Sequence, residues 1–169
     1  TEQFIRHLKQ VLAVNTVYLM NRQGTVIAST TYGQTDNTFK GNNYSFRPYF
    51  KQALAGSPYV YGALGKTSQQ RGFYFSSPVR KSGTVIGVAV IKIDLEQVET
   101  ILSKIDQTTF LLSPEQVVFA TNDDRYMYYL LSKSNDQSQK LEQISNEKQF
   151  YGHQVVPNQL ISTDRGILN

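Results

Sequence analysis

Residues 59–93 read YVYGALGKTSQQRGFYFSSPVRKSGTVIGVAVIKI, and this stretch decides the fold. Its aromatic and β-branched residues fall into three runs, separated by a polar segment and by the turn Lys81-Ser82-Gly83. Runs of this kind, bounded by turn residues, predict β-strands. With two earlier runs of the same kind, the predicted strands span 16–20, 25–29, 59–64, 72–79 and 84–93. The sequence therefore predicts an antiparallel five-stranded sheet.

Three helices are predicted around this sheet. Residues 2–14 carry apolar side chains at a spacing that places them on one helix face, namely Phe4, Ile5, Leu8, Val11 and Leu12. Pro48 suits the first turn of a short helix, where its missing N–H costs nothing. A third helix is predicted from Asp94, acting as its cap, to about residue 103. Strands with helices packed on them predict an α+β fold.

The chain repeats part of this pattern. Residues 16–30, TVYLMNRQGTVIAST, resemble residues 109–122, TFLLSPEQVVFATN, and both predict strand–turn–strand units. We interpret the likeness as an internal duplication whose second copy begins near residue 108. The remainder is polar, with one predicted helix at 136–148 and no further trio of strands, so the second copy is expected to be incomplete and the chain a fragment. The predicted divisions are 1–15, 16–107 and 108–169.

Composition excludes several classes of function. The 169 residues include no cysteine, which rules out a disulfide framework, a zinc–thiolate site and a cysteine nucleophile. No run approaches the roughly 18 apolar residues that a membrane span needs. The two histidines, His7 and His153, sit in neither metal-ligand nor triad spacing. We therefore expect no catalytic residue, no metal and no cofactor in this chain.

Charge is distributed unevenly along the chain. Residues 1–107 hold twelve Lys and Arg against six Asp and Glu, and no acid occurs between Asp36 and Asp94. A basic stretch without acids suits an anionic partner, although scattered solvated lysines give the same count. Nucleic acid is disfavoured, because the chain has no clustered basic helix and no known binding signature. A carboxylate or phosphate metabolite remains.

Lys92 is the most informative basic residue. It interrupts Val88-Ala89-Val90-Ile91-Lys92-Ile93, a run apolar on both faces and therefore predicted to form a central strand. A lysine in that position must reach solvent, pair with an acid or meet a ligand, because burying an unpaired charge is costly. A structural ion pair and an anion-binding lysine both fit the sequence.

Arg47 is the second candidate. It precedes Pro48 at the start of the short helix, and an arginine fork can bind a carboxylate through two N–H groups. Nearby hydroxyl-bearing residues could add neutral donors or simply pack in the core. These residues are Tyr44, Tyr49, Thr67, Ser68, Tyr74 and Ser76.

Several segments resemble one known group of proteins. They are GNNYSFRPYF at 41–50, ALGKTS at 63–68, GFYFSSPV at 72–79, and Gly87 through Lys92-Ile93-Asp94-Leu95. Weaker likenesses are NDDRY at 122–126 and QFYG at 149–152. The sequence is similar to the extracytoplasmic double Cache sensor domains, tandem PAS-like domains of C4-dicarboxylate transport sensor histidine kinases.

The resemblance implies a membrane-distal ligand-binding domain at about 16–107, followed by part of a membrane-proximal one. The expected ligand is succinate, fumarate or malate. In that family an arginine of the FRPYF-like motif and a lysine of the last distal strand hold the carboxylates. Carried onto this sequence, the implied ligand-binding residues are Tyr44, Arg47, Thr67, Tyr74, Ser76 and Lys92.

The resemblance also implies a larger parent protein. Such a protein is a histidine kinase anchored in the bacterial inner membrane, with this chain in the periplasm. A homodimer and a response regulator are expected as its partners, and ATP and Mg²⁺ are implied only for its kinase domain. Two alternatives stay open. One is a Cache domain for another small ligand, from a chemoreceptor or a cyclic-dinucleotide signalling protein, and the other is a structural module with an empty pocket.

Overall fold

Two compact units make up the chain, divided between Leu95 and Glu96. The computed structural model describes residues 2–31, 37–131, 134–151 and 153–157. The first unit contains a five-stranded antiparallel sheet with flanking helices, which confirms the predicted α+β fold.

The sheet of the first unit has the strand order β2-β1-β5-β4-β3. Its strands are β1 (Thr16–Asn21), β2 (Val26–Ser29), β3 (Tyr59–Leu64), β4 (Arg71–Lys81) and β5 (Thr84–Asp94). Each strand pairs antiparallel with its neighbours. The central position of β5 agrees with its apolar residues on both faces, because a strand covered on both sides loses the polar alternation.

Two helices accompany this sheet. Helix α2 (Pro48–Leu54) begins with Pro48 in its first turn, as predicted, and contacts β3, β4 and β5. Helix α1 (Glu2–Leu12) contacts β1 and β2. Of the five apolar residues predicted to share one helix face, only Ile5 is buried, whereas Phe4, Val11 and Leu12 are exposed. The apolar stripe of α1 is therefore wider than the surface it covers within this unit.

The core lies mainly between α2 and one face of the sheet. This cluster is aromatic and includes Tyr18, Phe39, Tyr44, Tyr49, Phe50, Tyr61 and Tyr74. A smaller cluster of Ile5, Val17 and Ala28 lies on the other face, under α1. Alternating side chains of β1 serve both clusters, since successive residues of a strand point to opposite faces.

The second unit is built from short elements. They are α3 (Glu96–Leu102), β6 (Phe110–Leu112), β7 (Val118–Thr121), β8 (Tyr129–Leu130), α4 (Ser134–Asn146) and β9 (Val156–Pro157). Strands β6 and β7 form the predicted antiparallel hairpin, and β8 pairs parallel with β9. Sequence reasoning missed β8 and β9, because two residues are too few to show an alternating pattern. Helix α3 begins at Glu96, and the predicted cap Asp94 instead ends β5.

Candidate functional site

Arg47 lies at the start of α2 and is buried. Its backbone is extended, with φ −72° and ψ 136°, immediately before the helix. Only 2% of the residue is exposed. Its Nη2 donates a hydrogen bond to the carbonyl oxygen of Leu64 at 2.8 Å, which ties the start of α2 to the end of β3. A guanidinium held in this way has further N–H donors in a fixed, fork-like geometry.

A small cavity adjoins this guanidinium. Its wall is made by Tyr18, Phe39, Tyr44, Arg47, Tyr49, Gly65, Lys66, Thr67 and Tyr74. The cavity measures about 10 Å³, which is about the space one water molecule occupies. Hydroxyl groups and two basic residues, the buried Arg47 and the exposed Lys66, thus line a small pocket inside the first unit.

The segment between β3 and β4 closes this pocket. The Tyr44 hydroxyl and Thr67 Oγ1 are hydrogen-bonded at 2.7 Å. A Cβ at Gly65 would lie 2.8 Å from the Tyr74 hydroxyl and 2.3 Å from Ser68 Oγ, so glycine permits the close approach. The Gly65 N–H donates to the Gln70 carbonyl oxygen and the Gln69 N–H donates to the Gly65 carbonyl oxygen, both at 2.9 Å, and these bonds hold the loop together. We refer to residues 65–70 as the closing loop.

Three buried tyrosines form the floor. The hydroxyls of Tyr18 and Tyr49 are hydrogen-bonded at 2.9 Å. The rings of Tyr49 and Tyr74 are stacked, with centroids 5.1 Å apart and planes 2° from parallel. Burial raises the pKa of all three phenols above the ordinary value. They therefore stay neutral at physiological pH and can donate hydrogen bonds to an anion without adding charge.

Lys92 faces the same side of the sheet, in register with Thr16 on β1 and Tyr74 on β4. Its side chain is fully buried, and its Nζ donates to the Asp94 carboxylate two residues further along β5. Burial lowers the pKa of the ammonium to about 8, whereas a neighbouring carboxylate favours the charged form. Lys92 thus has an acid partner in this structure, one of the two arrangements that the sequence left open.

Four of the six predicted ligand-binding residues line the cavity together: Tyr44, Arg47, Thr67 and Tyr74. Lys92 and Ser76 are not among its lining residues. Ser76 Oγ donates to the carbonyl oxygens of Tyr49, at 2.8 Å, and Tyr59, at 3.2 Å, and so fastens α2 to the sheet.

Sequence reasoning did not select every residue around the cavity. Tyr18 could have been found, because it alternates inward on β1 with Thr16 and Met20. Phe39 lies in a polar loop that carries no periodic signal. Asp94 shares a strand face with Lys92, because residues two apart on a strand point to the same side, but the sequence favoured a role as helix cap.

The described residues outside this cavity offer no metal-ligand cluster, and the sequence candidate His7 lies on the surface. His7 is exposed on α1. In the described part of the chain no three His, Asp or Glu side chains are placed to hold a metal ion. The helices of that part are all too short or too polar to cross a membrane.

Comparison with known proteins gives a consistent picture. No protein-family model matches the chain. The C4-dicarboxylate transport sensor protein DctB of Pseudomonas aeruginosa is 33% identical over 129 residues, which cover 76% of this chain and 19% of that protein. The chain therefore spans about a fifth of the length of this relative.

Solved structures agree with this relative. The sensor domain of the histidine kinase DctB from V. cholerae matches with a TM-score of 0.77 and 30% identity, over 93% of this chain and 59% of that one. The ligand-binding domain of the Campylobacter jejuni chemoreceptor Tlp3 in complex with L-valine matches with a TM-score of 0.59 at 18% identity, over 79% of this chain and 54% of that one, which shows the shared fold alone. The chain belongs to the double Cache (PAS-like) sensor domains of the C4-dicarboxylate transport sensor family.

Proposed function

We propose that the chain is a periplasmic sensor domain that binds a C4-dicarboxylate such as succinate, fumarate or malate next to Arg47. In this proposal residues 16–107 are the membrane-distal ligand-binding domain, and 108–169 are part of the membrane-proximal one. The parent is a histidine kinase anchored in the inner membrane, active as a homodimer and coupled to a response regulator. ATP and Mg²⁺ serve its kinase domain, outside this chain.

The buried guanidinium of Arg47 is the observation that carries the proposal. It adjoins a cavity whose lining also includes the hydroxyl-bearing residues Tyr44, Thr67 and Tyr74 and the exposed Lys66. Arginine binds carboxylates through two parallel N–H···O bonds, and these bonds strengthen where water is excluded. The names of the relatives point to the same class of ligand.

A second carboxylate requires a second cation. Lys92 lies on the ligand-facing side of the sheet, in register with the cavity residue Tyr74. In the proposed complex one carboxylate binds Arg47 and the other binds Lys92. A diacid then contacts both buried cations, which a monoacid does not do.

Binding must also move the closing loop. A cavity of about 10 Å³ holds about one water molecule, and a four-carbon diacid is several times larger. Entry therefore breaks the contact between Tyr44 and Thr67 and displaces residues 65–70. Because the ligand prefers the displaced form, occupancy shifts the population of loop conformations. That shift is the signal the domain would pass on.

Isothermal titration calorimetry tests the proposal. The chain is titrated separately with succinate, fumarate, malate, acetate and a mixture of amino acids. Tighter binding of the dicarboxylates than of acetate, with no heat from the amino acids, is the expected result. Heat from amino acids alone would favour a chemoreceptor-like alternative. No heat from any of them, with folding verified by circular dichroism, would overturn the proposed ligand.

A further inference from the structure

Lys92 is occupied by a carboxylate of the chain itself. Its side chain is fully buried, and Asp94 is its hydrogen-bond partner within the described residues. An ammonium has three donors, and Asp94 provides the acceptor for one of them. The lysine that would bind a ligand carboxylate therefore already binds a group of the same chemistry.

Asp94 is well placed to hold Lys92 and also to release it. It ends β5, opposite Gly72, and its backbone N–H donates to Asn15 Oδ1 at 2.9 Å. A Cβ at Gly72 would lie 2.6 Å from the Ile93 carbonyl oxygen and 3.3 Å from Lys92 Cε, so glycine leaves room for the pair. The Asp94 side chain remains 13% exposed, which gives its carboxylate a way to water when it leaves Lys92.

Thr16 supplies an independent sign of a ligand at this position. It lies directly across from Lys92 on β1 and is fully buried. Its Oγ1 has no hydrogen-bond partner among the described residues. Buried hydroxyls are normally satisfied, and an unsatisfied one next to a lysine with spare donors suits an incoming oxygen atom.

We propose that Asp94 competes with the ligand for Lys92, so that the second carboxylate of a diacid displaces Asp94 and also accepts a hydrogen bond from Thr16. This inference rests on the proposed function and adds an exchange at Lys92 that only a diacid can make. A monocarboxylate binds Arg47 and leaves the Lys92–Asp94 pair intact. A diacid exchanges one carboxylate for another at Lys92, with no net loss of ion pairs inside the domain.

Titration of two charge-matched variants tests the competition. Asp94→Asn removes the competing carboxylate. The control Glu2→Gln removes an equal charge from an exposed position on α1, where Glu2 pairs with Lys40. Fumarate and acetate are titrated at about pH 6, below the pKa of Lys92. We expect Asp94→Asn to bind fumarate about tenfold more tightly, because Lys92 no longer has to be released from Asp94 before it can bind the ligand. Acetate affinity should not change, and Glu2→Gln should match the wild type.

Two further readouts do not depend on how well Asp94→Asn folds. In the wild type the ¹³C shift of the Asp94 carboxyl should move on saturation with fumarate and stay fixed with acetate. Thr16→Val should weaken fumarate binding and raise the melting temperature of the free chain, since it removes an unsatisfied buried hydroxyl.

Different failures have different meanings. Fumarate binding to Asp94→Asn that is equal to or weaker than wild type would overturn the competition, and so would a fixed Asp94 shift at saturation. Absence of diacid binding to the wild type would instead overturn the proposed function itself.

Discussion

Each unit contains a hairpin that follows its first helix, and the two hairpins have the same strand register and different surroundings. In the first, Tyr18 is opposite Ser29 and Leu19 opposite Ala28, before a one-residue register shift. In the second, Phe110 is opposite Thr121 and Leu111 opposite Ala120, before the same shift. Positions 92 apart along the chain therefore correspond.

The turns of the two hairpins correspond as well. Asn21 and Ser113 each accept a hydrogen bond from the backbone N–H three residues on, at 3.0 and 2.8 Å. Their side chains each accept one from the N–H four residues on. Gly24 and its counterpart Gln116 both have positive φ, 80° and 70°. The likeness found in the sequence is thus a likeness of turn geometry.

The surroundings differ in cover and in charge. The second strand of the first hairpin, β2, alternates between buried and less buried residues, whereas β7 is buried at every position. Among the described residues, two cationic residues are buried, Arg47 and Lys92. Both lie in the first unit. The buried polar residues described in the second unit are the uncharged Ser113, Thr121 and Gln149. The same local structure thus serves a candidate binding site in one unit and an apolar core in the other.

The largest expected effect comes from truncating corresponding side chains in β7 and β2. Phe119 is fully buried, with its ring 6.0 Å from that of Phe150, whereas its counterpart Ile27 is 52% exposed. Phe119→Ala should cost the second unit about 3–5 kcal/mol. Ile27→Ala should cost about 1 kcal/mol or less.

Urea unfolding with hydrogen-exchange mass spectrometry measures both variants and separates the units. Equal losses of unfolding free energy in Phe119→Ala and Ile27→Ala would show that the difference in burial between the two side chains has no energetic consequence.

The next effect concerns the buried charge of the first unit. Arg47→Ala should weaken dicarboxylate binding by roughly 100-fold, because it removes a desolvated charge from the site. The exposed Arg22, which donates to the Val85 carbonyl oxygen, is the matched control, and Arg22→Ala should bind normally. Calorimetric titration measures both, with Arg47→Lys as a milder variant should Arg47→Ala unfold. Normal binding by Arg47→Ala and Arg47→Lys would remove Arg47 from the site.

A smaller effect separates the two turns. A Cβ at Gly24 would lie 2.7 Å from Ser45 backbone atoms, and its φ of +80° is unfavourable for other residues. Gly24→Ala should cost about 1–3 kcal/mol. Gln116→Gly should change stability by less than about 1 kcal/mol, because relief of strain and greater unfolded-state freedom oppose each other.

Urea denaturation of Gly24→Ala and Gln116→Gly compares the turns directly. Similar losses of unfolding free energy in both variants would mean that the close contact with Ser45 adds no cost to a side chain at position 24.

The smallest effect is the pH dependence of ligand affinity, which tests the role of Lys92. Burial lowers its pKa to about 8, and the groups nearest it on the sheet are Asp94, Thr16 and Tyr74. In the proposed complex the charged form binds the diacid, so affinity should be constant near pH 7 and fall as pH rises through 8. Well above 8 the fall should approach about tenfold per pH unit, the slope of one proton.

Calorimetry between pH 6.5 and 9.5, a range of roughly three units around the lysine pKa, measures this dependence. Lys92→Met should bind more weakly and lose the pH dependence. A wild-type profile that is flat through pH 8 would show that Lys92 does not bind the ligand as an ammonium.

Local patterns in the sequence predicted most of the first unit. Apolar runs and turn residues located all five strands, and the run around Lys92 predicted a central strand, because β5 has apolar residues on both faces. The Pro48 helix start and the cationic candidates Arg47 and Lys92 also came from local signals. Such signals are reliable because the alternation of side chains along a strand and the fixed φ of proline are properties of a few neighbouring residues.

Other features depend on contacts between distant residues, and only the tertiary structure decided them. The sequence does not distinguish the exposed Ile27 from the buried Phe119, since what covers each side chain comes from elsewhere in the chain. It does not show that the closing loop reduces the cavity to about 10 Å³. It does not show that Lys92 holds Asp94. A residue's type and spacing determine its local conformation, but its partners depend on which surfaces the whole fold brings together.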